Sequence, residues 1–350
     1  MLSFTETRVV DATTRREARH WRDGRIFRAL LSEYLVLWLS LAYFLVMLPI
    51  IPAIGSRAAL SNILADMLPL LAVAVGQTFV LIVAGIDLSV TAIMAMASVV
   101  GASVMSSQGG FAGGTVFAAP LGFVAMLAVG AAIGLFNGFC AARLRMPSFI
   151  VTLTGMMFFS GAAIWYTTFH TETSSIAGLP RSFVAVGQGS TLGIPNSLWP
   201  VLALVLAAHF ILARTAFGQH LYAVGRNPKA AAIAGVPVAR VVILAFLISG
   251  LCAAVSSALY TGRLETGTPI LGERMLLDII GAVVIGGSSL FGGRGKVVWT
   301  VFGVLFLVLL DTSLKMLGLS LFSVLAIKGT VILLAAIVDT LRVRLTGTRS

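Results

Sequence analysis

Charge is scarce in this chain. Asp and Glu number 13 and Lys and Arg 24 in 350 residues, so 11% of positions are charged against 58% hydrophobic, and the mean hydropathy is +1.02. That leaves too little polar surface to coat a soluble globule of this size, and the composition predicts an all-α polytopic membrane protein. Cysteine is almost absent: Cys140 and Cys252 both lie inside apolar runs, which excludes a disulfide framework. The four histidines, His20, His170, His209 and His220, are scattered without metal-ligand spacing. No Ser, His and acid grouping and no paired carboxylate site emerges, so neither a catalytic residue nor a metal site is assigned. Gly292-Gly-Arg-Gly-Lys296 invites a phosphate-loop reading. Its spacing is not that of a Walker A loop, and no Ser or Thr follows Lys296.

What the chain does have is long apolar runs. A helical crossing takes about 20 residues, and ten candidates occur near 34–54, 67–84, 90–107, 116–142, 148–168, 198–213, 241–261, 276–291, 296–314 and 321–341. With ten crossings, eighteen of the 24 basic residues fall on one side, which makes both termini cytoplasmic. The expected organisation is an Arg-rich N-terminal arm at 1–33, one transmembrane domain at 34–341 with a cytoplasmic loop at 214–240, and a short tail at 342–350. The arm is not expected to be a cleaved signal, because the run after it ends in Leu48-Pro-Ile-Ile-Pro52 without a small-residue cleavage pattern. Thr167 to Leu198 is expected to be the longest external loop.

Four places carry chemistry. Gly85-Ile-Asp-Leu-Ser89 puts an acid where the chain is near or inside the bilayer, with Gly85 freeing the backbone and Ser89 able to cap the next helix. A broken helix facing a cavity and a simple turn between two helices both fit Asp87. Gly286, Gly287 and Ser288 open a comparable interruption that runs to Lys296, a possible counterpart in an internal duplication. Asn227-Pro-Lys-Ala-Ala-Ala-Ile-Ala-Gly235 reads as a short helix: Asn227 caps it, Pro228 suits its first position, Lys229, Ala230, Ala231 and Ala232 favour helix, and Gly235 stops it. It is either a connector or a peg that passes force from an ATPase. Asp278, Asp311 and Lys328 fall inside three different spans, where opposite charges at similar depth are expected to pair. Asn137, Thr152, Thr154, Trp165 and Tyr166 are further candidates for substrate contact from their positions in the spans.

These residues resemble the permease subunit of bacterial ABC sugar importers of the ribose, xylose and arabinose type. The matching segments are Gly85-Ile-Asp-Leu-Ser-Val90, Gly134-Leu-Phe-Asn-Gly138, Leu144-Arg-Met-Pro-Ser-Phe-Ile-Val-Thr-Leu153, Tyr222 to Gly235, Ser249-Gly250, Leu277 to Gly295 and Lys328-Gly329, spread over roughly 60 to 340. The sequence departs from the pattern at Ala84, where glycine is frequent, at Thr91, and at Asp311, where an amide is common. The resemblance implies a non-catalytic permease, paired with a second permease that is expected to be an identical copy. A cytoplasmic ATPase would dock on Asn227 to Gly235 and hold the ATP and magnesium, so no cofactor is expected in this chain. A periplasmic binding protein would deliver the sugar or polyol, membrane lipid would surround the subunit in the bacterial inner membrane, and no nucleic acid is involved. The rival reading is a secondary transporter or channel with its own coupling-ion site, for which Asp87 and Asp278 are the available acids.

Overall fold

An apolar segment in hydrocarbon must satisfy its own peptide groups, and one segment alone can do so only as a helix. The computed structural model describes residues 34–345, and among these there are thirteen α-helices and one two-stranded hairpin. In chain order the helices are α1 (Leu35–Ile50), α2 (Arg57–Ile82), α3 (Val90–Met105), α4 (Ala118–Ala142), α5 (Ser148–His170), α6 (Arg181–Gly187), α7 (Leu198–Arg214), α8 (Ala216–Arg226), α9 (Pro228–Ile233), α10 (Val238–Leu264), α11 (Leu276–Gly286), α12 (Val297–Met316) and α13 (Leu321–Leu345). Strands β1 (Ser190–Thr191) and β2 (Ile194–Pro195) pair antiparallel between α6 and α7.

Five helices, α2, α4, α5, α10 and α12, are each long and apolar enough to cross a membrane, and α7 with α8 makes a sixth if the 70° bend between them is taken as one broken span. The shorter apolar helices are α1, α3, α11 and residues 321–337 of α13. Each of the ten expected runs coincides with one of these helices, but the run at 276–291 is helical only to Gly286. Gly287 takes φ 111°, and the chain stays non-helical until α12. The N-terminal arm at 1–33 lies outside the described residues. Of the expected tail, 342–345 continue α13 and 346–350 lie outside the described residues.

α10 is the hub, packed against α2, α3 and α4. Its contact with α4 is backbone on backbone: a Cβ on Gly130 would sit 2.3 Å from the Gly250 carbonyl oxygen, and one on Gly250 would sit 2.1 Å from that of Gly130. Only glycine permits this approach, the small-residue packing that bilayer helices use. The expected external loop is more ordered than its composition suggested. α6 buries Phe183 against α10, and Ile176 forms an antiparallel bridge with Gly267. Backbone polar groups in that segment are therefore paired with protein rather than left to water.

Candidate functional site

The first break lies between α2 and α3. α2 ends with Gly85 N–H donating to the Val80 carbonyl (3.0 Å) and Ala84 N–H to that of Leu81 (2.9 Å). The left-handed residue in this stop is Ala84, at φ 59°, and not Gly85, the expected site of backbone freedom. Gly85 is needed for space, since a Cβ there would meet Val80 Cγ1 at 3.1 Å. A left-handed alanine is strained by about 1 kcal/mol or more.

Asp87 is fully buried in the break. Its Oδ1 accepts from Ser89 N–H (3.0 Å) and from the Ser89 hydroxyl (2.6 Å), and its Oδ2 accepts from the Ser249 hydroxyl on α10 (2.9 Å). With its amide oriented to satisfy both groups, Gln77 on α2 donates to the Asp87 carbonyl (3.2 Å) and accepts from the Asp87 N–H (3.3 Å). Ser89 does not cap α3 as expected, because the carboxylate two residues earlier captures its N–H and hydroxyl, and Ser89 Oγ in turn accepts from Asn137 Nδ2 on α4 (2.8 Å). Thr152 on α5 donates to the Ile86 carbonyl (3.1 Å), and Ser148 receives the Ile86 N–H (3.3 Å). Four helices therefore hold one non-helical segment by its polar groups. Asn137 Oδ1 is buried without a partner among the described residues.

Thr154 does not join this cluster: it is exposed, and its hydroxyl bonds back to the Ile150 carbonyl of its own helix (2.8 Å). Trp165 is also exposed and stacks edge-on to Phe169, whereas Tyr166 reaches across to the Ser103 hydroxyl (2.8 Å).

The second break, Gly287 to Lys296, folds against the first. Gly293 N–H donates to the Ile82 carbonyl at the end of α2 (2.8 Å). Gly225, near the end of α8, closes the junction from the third side: a Cβ there would lie 1.8 Å from the Ile82 carbonyl oxygen and 2.6 Å from Gly293 N. The Tyr222 hydroxyl adds a bond to the Gly295 carbonyl (2.7 Å). Gly286 is pressed against Trp299 backbone, and Ser288 Oγ is buried without a partner among the described residues.

Directly after α8 comes α9, built as its sequence prescribes. Asn227 Oδ1 accepts from Ala230 N–H (3.0 Å), Pro228 occupies the first turn, and Gly235 at φ 84° ends the element with Val236 N–H on the Ala231 carbonyl (3.0 Å). Its faces are not equivalent. Ala231 is buried against the body, while Lys229, Ala230, Ala232 and Ile233 are exposed, Ile233 to 89%. Ala231, expected among the coupling residues, packs against the body, so the face open to a partner is that of the other four. Ile233 was missed because a lone apolar residue in an alanine-rich helix gives no sign of its facing.

Asp278, Asp311 and Lys328 meet as charge alone suggested. Lys328 Nζ lies 2.6 Å from Asp278 Oδ2 and 3.1 Å from Asp311 Oδ1, and Lys315 caps the other Asp311 oxygen at 2.5 Å. The group borders a cavity of about 300 Å³ that Asp66, Tyr260 and Arg274 also line. Asp87 and Asp278 thus sit in separate polar clusters, each with its own partners.

The family described as branched-chain amino acid transport system / permease component matches residues 59–337. The chain is 34% identical to the ribose import permease protein of Escherichia coli (strain K12), over 86% of this chain and 92% of that protein. It is 39% identical to the ribose import permease protein of Bacillus subtilis (strain 168), over 76% of this chain and 80% of that one. Against the fructose import permease protein of Rhizobium meliloti the identity is 35%, over 76% and 73%. No solved structure matches the chain. With most of its length matched to these permeases, and with apolar helices broken at two polar turns, the chain is a multi-pass membrane protein that belongs to this family of transport-system permease components.

Proposed function

We propose that the chain is the transmembrane permease subunit of an ATP-driven importer that passes a monosaccharide or related polyol across the bacterial inner membrane by alternating access. The observation that carries this reading is mechanical. α9 offers an exposed face to a partner, and the helix before it is welded through Gly225 and Tyr222 to both breaks. A pull on α9 therefore reaches the ends of α2 and α12 without passing through a flexible linker. Two packed arrangements of such a junction are what rocking between outward and inward states needs.

Ten crossings with both termini cytoplasmic accommodate all the apolar helices: the five long ones, the α7–α8 pair and the four shorter ones. α11 rises only about 17 Å at 1.5 Å per residue, short of the roughly 30 Å of hydrocarbon, and the non-helical turn after it completes the span. Non-helical backbone at that depth is tolerable only where protein covers it, as the α2–α8–turn junction does. The sugar assignment rests on relatives named for ribose and fructose import, weighed against a family description that names branched-chain amino acids. Two copies of the chain would face one another across the path, a cytoplasmic ATPase would bind ATP and magnesium, and a periplasmic binding protein would present the solute.

The test is uptake of radiolabelled sugars in cells that supply the ATPase and the binding protein. Ile233→Asp should abolish uptake at a normal membrane level, because only the exposed tip changes. Ala231→Arg should instead lower the membrane level, because that side chain faces inward. Full uptake by Ile233→Asp refutes the docking role. Purified chain alone that accumulates sugar in liposomes against a gradient refutes the whole reading in favour of a secondary transporter.

A further inference from the structure

A cavity of about 580 Å³ opens under the elbow between α7 and α8, within the usual size range of small-ligand sites. Its upper wall is polar and basic, with Arg226 on α8 and Arg294 in the second break. Its lower wall is apolar, formed by Leu212 and Ala213 on α7 and by Val297 and Trp299 on α12. Among the described residues no carboxylate lines it, and neither Arg226 nor Arg294 has an ion pair or a side-chain hydrogen bond with another described residue. Two such guanidinium groups over an apolar floor suit an anion that carries an apolar tail.

The surroundings supply the path for that tail. Trp199, Leu202, Leu206 and Phe210 recur along α7 at helical spacing, are all exposed, and lead down one face of the helix to Ala213 at the cavity floor. The 70° bend turns the amphipathic α8 away from the axis of α7, which is the posture of a helix lying at the polar boundary of a bilayer. Trp299, with Lys296 Nζ 4.8 Å over its ring, marks the same level. A soluble phosphate would use the arginines and leave the apolar half of the site idle.

We propose that this elbow is a binding site for an anionic phospholipid, its phosphate held by Arg226 and Arg294 and one acyl chain laid along the exposed face of α7. Basic pockets between membrane helices hold anionic head groups in this way, and arginine suits them because its planar fork pairs two oxygens of one phosphate. Since Arg226 precedes Asn227, and Arg294 follows Gly293, the lipid would brace the junction that connects α9 to the two breaks.

The experiment is a titration of the purified full chain in mild detergent, with bound lipid read by native mass spectrometry. Dioleoyl phosphatidylglycerol, dioleoyl phosphatidylcholine and inorganic phosphate are the three arms. Phosphatidylglycerol should bind in preference to phosphatidylcholine, and inorganic phosphate should not displace it. Arg226→Ala with Arg294→Ala should weaken phosphatidylglycerol binding roughly thirtyfold, from about a fivefold effect per basic group at a membrane surface. The double change Arg57→Ala with Arg181→Ala should leave it unaltered. If the alanine pair gives no folded protein, Arg294→Gln alone should show the fivefold loss. Equal binding of the two lipids, undiminished binding by the arginine variants, or displacement by inorganic phosphate would each overturn the proposal. So would stoichiometric release of the lipid when the ATPase subunit binds, which would assign the cavity to that protein.

Discussion

Removal of the charge at Lys328 tests how the cluster of Asp278, Asp311 and Lys328 is organised. Lys328→Met keeps the length of the side chain and deletes its ammonium. Asp311 would retain Lys315, whereas Asp278 would lose the one cation that pairs with it among the described residues, at 2.6 Å. Breaking a buried pair by removing one partner costs about 3–5 kcal/mol. Here the side chains of Asp278 and Asp311 are 20% and 23% exposed beside a cavity of about 300 Å³, so water can reach the orphaned carboxylate. A cost at or below the bottom of that range, about 2–3 kcal/mol, is expected. Lys315→Met should cost less than about 1 kcal/mol, because Lys315 is 60% exposed and its pair is solvent-screened. Lys328→Met with Asp278→Asn should recover most of the loss, since no bare charge then remains in the membrane. The same logic holds for the swapped pair Lys328→Asp with Asp311→Lys, which should restore part of the folded yield. The assay is the thermal midpoint of purified protein by size-exclusion fluorescence, alongside the amount inserted in membranes. A Lys328→Met midpoint equal to that of wild type or of Lys315→Met would refute the reasoning, as would a double variant no better than the single one.

Three further outcomes follow from the junction. Ala84→Gly should raise the thermal midpoint, by relief of a left-handed alanine worth about 0.5–1 kcal/mol after the added chain entropy of glycine is subtracted; a lower midpoint would mean that the Ala84 methyl packs better than its backbone is strained. Ser249→Ala should destabilise by about 1–3 kcal/mol, the cost of leaving a buried oxygen of Asp87 without its partner, while Ser89→Ala should cost at least as much because its hydroxyl serves both Asp87 and Asn137; equal midpoints for wild type and both variants would show that the Asp87 side chain is held by its backbone contacts alone. Gly225→Ala should reduce the inserted protein far more than Gly161→Ala, since the first Cβ collides with the Ile82 carbonyl and the second meets nothing within 4 Å; similar membrane levels would show that the three-way junction can open to admit a methyl group.

The element most faithfully written in the sequence is α9. Its cap, first-turn proline and glycine stop act within nine residues, so local chemistry was enough to place it. The helical state of the ten apolar runs was equally legible, because an apolar segment must satisfy its own peptide groups, although only five or six of the helices are long enough to cross. The mutual pairing of Asp278, Asp311 and Lys328 also followed from charge and depth. Local reasoning failed where one group had several possible partners. Ser89 serves Asp87, two residues away, and Asn137 on α4 rather than the end of α3, and the left-handed backbone falls on Ala84 rather than on Gly85.

Composition and periodicity by themselves determined that this is a helical membrane protein with a short capped helix at Pro228–Ile233, since both depend on interactions only a few residues long. Tertiary structure alone decided that the two glycine-rich breaks touch one another, that Gly225 locks them to the helix before the peg, and that Ile233 rather than Ala231 faces outward. The first two depend on contacts between segments far apart in the chain, such as Gly293 with Ile82. A glycine signals only that space is needed, and not which backbone fills it.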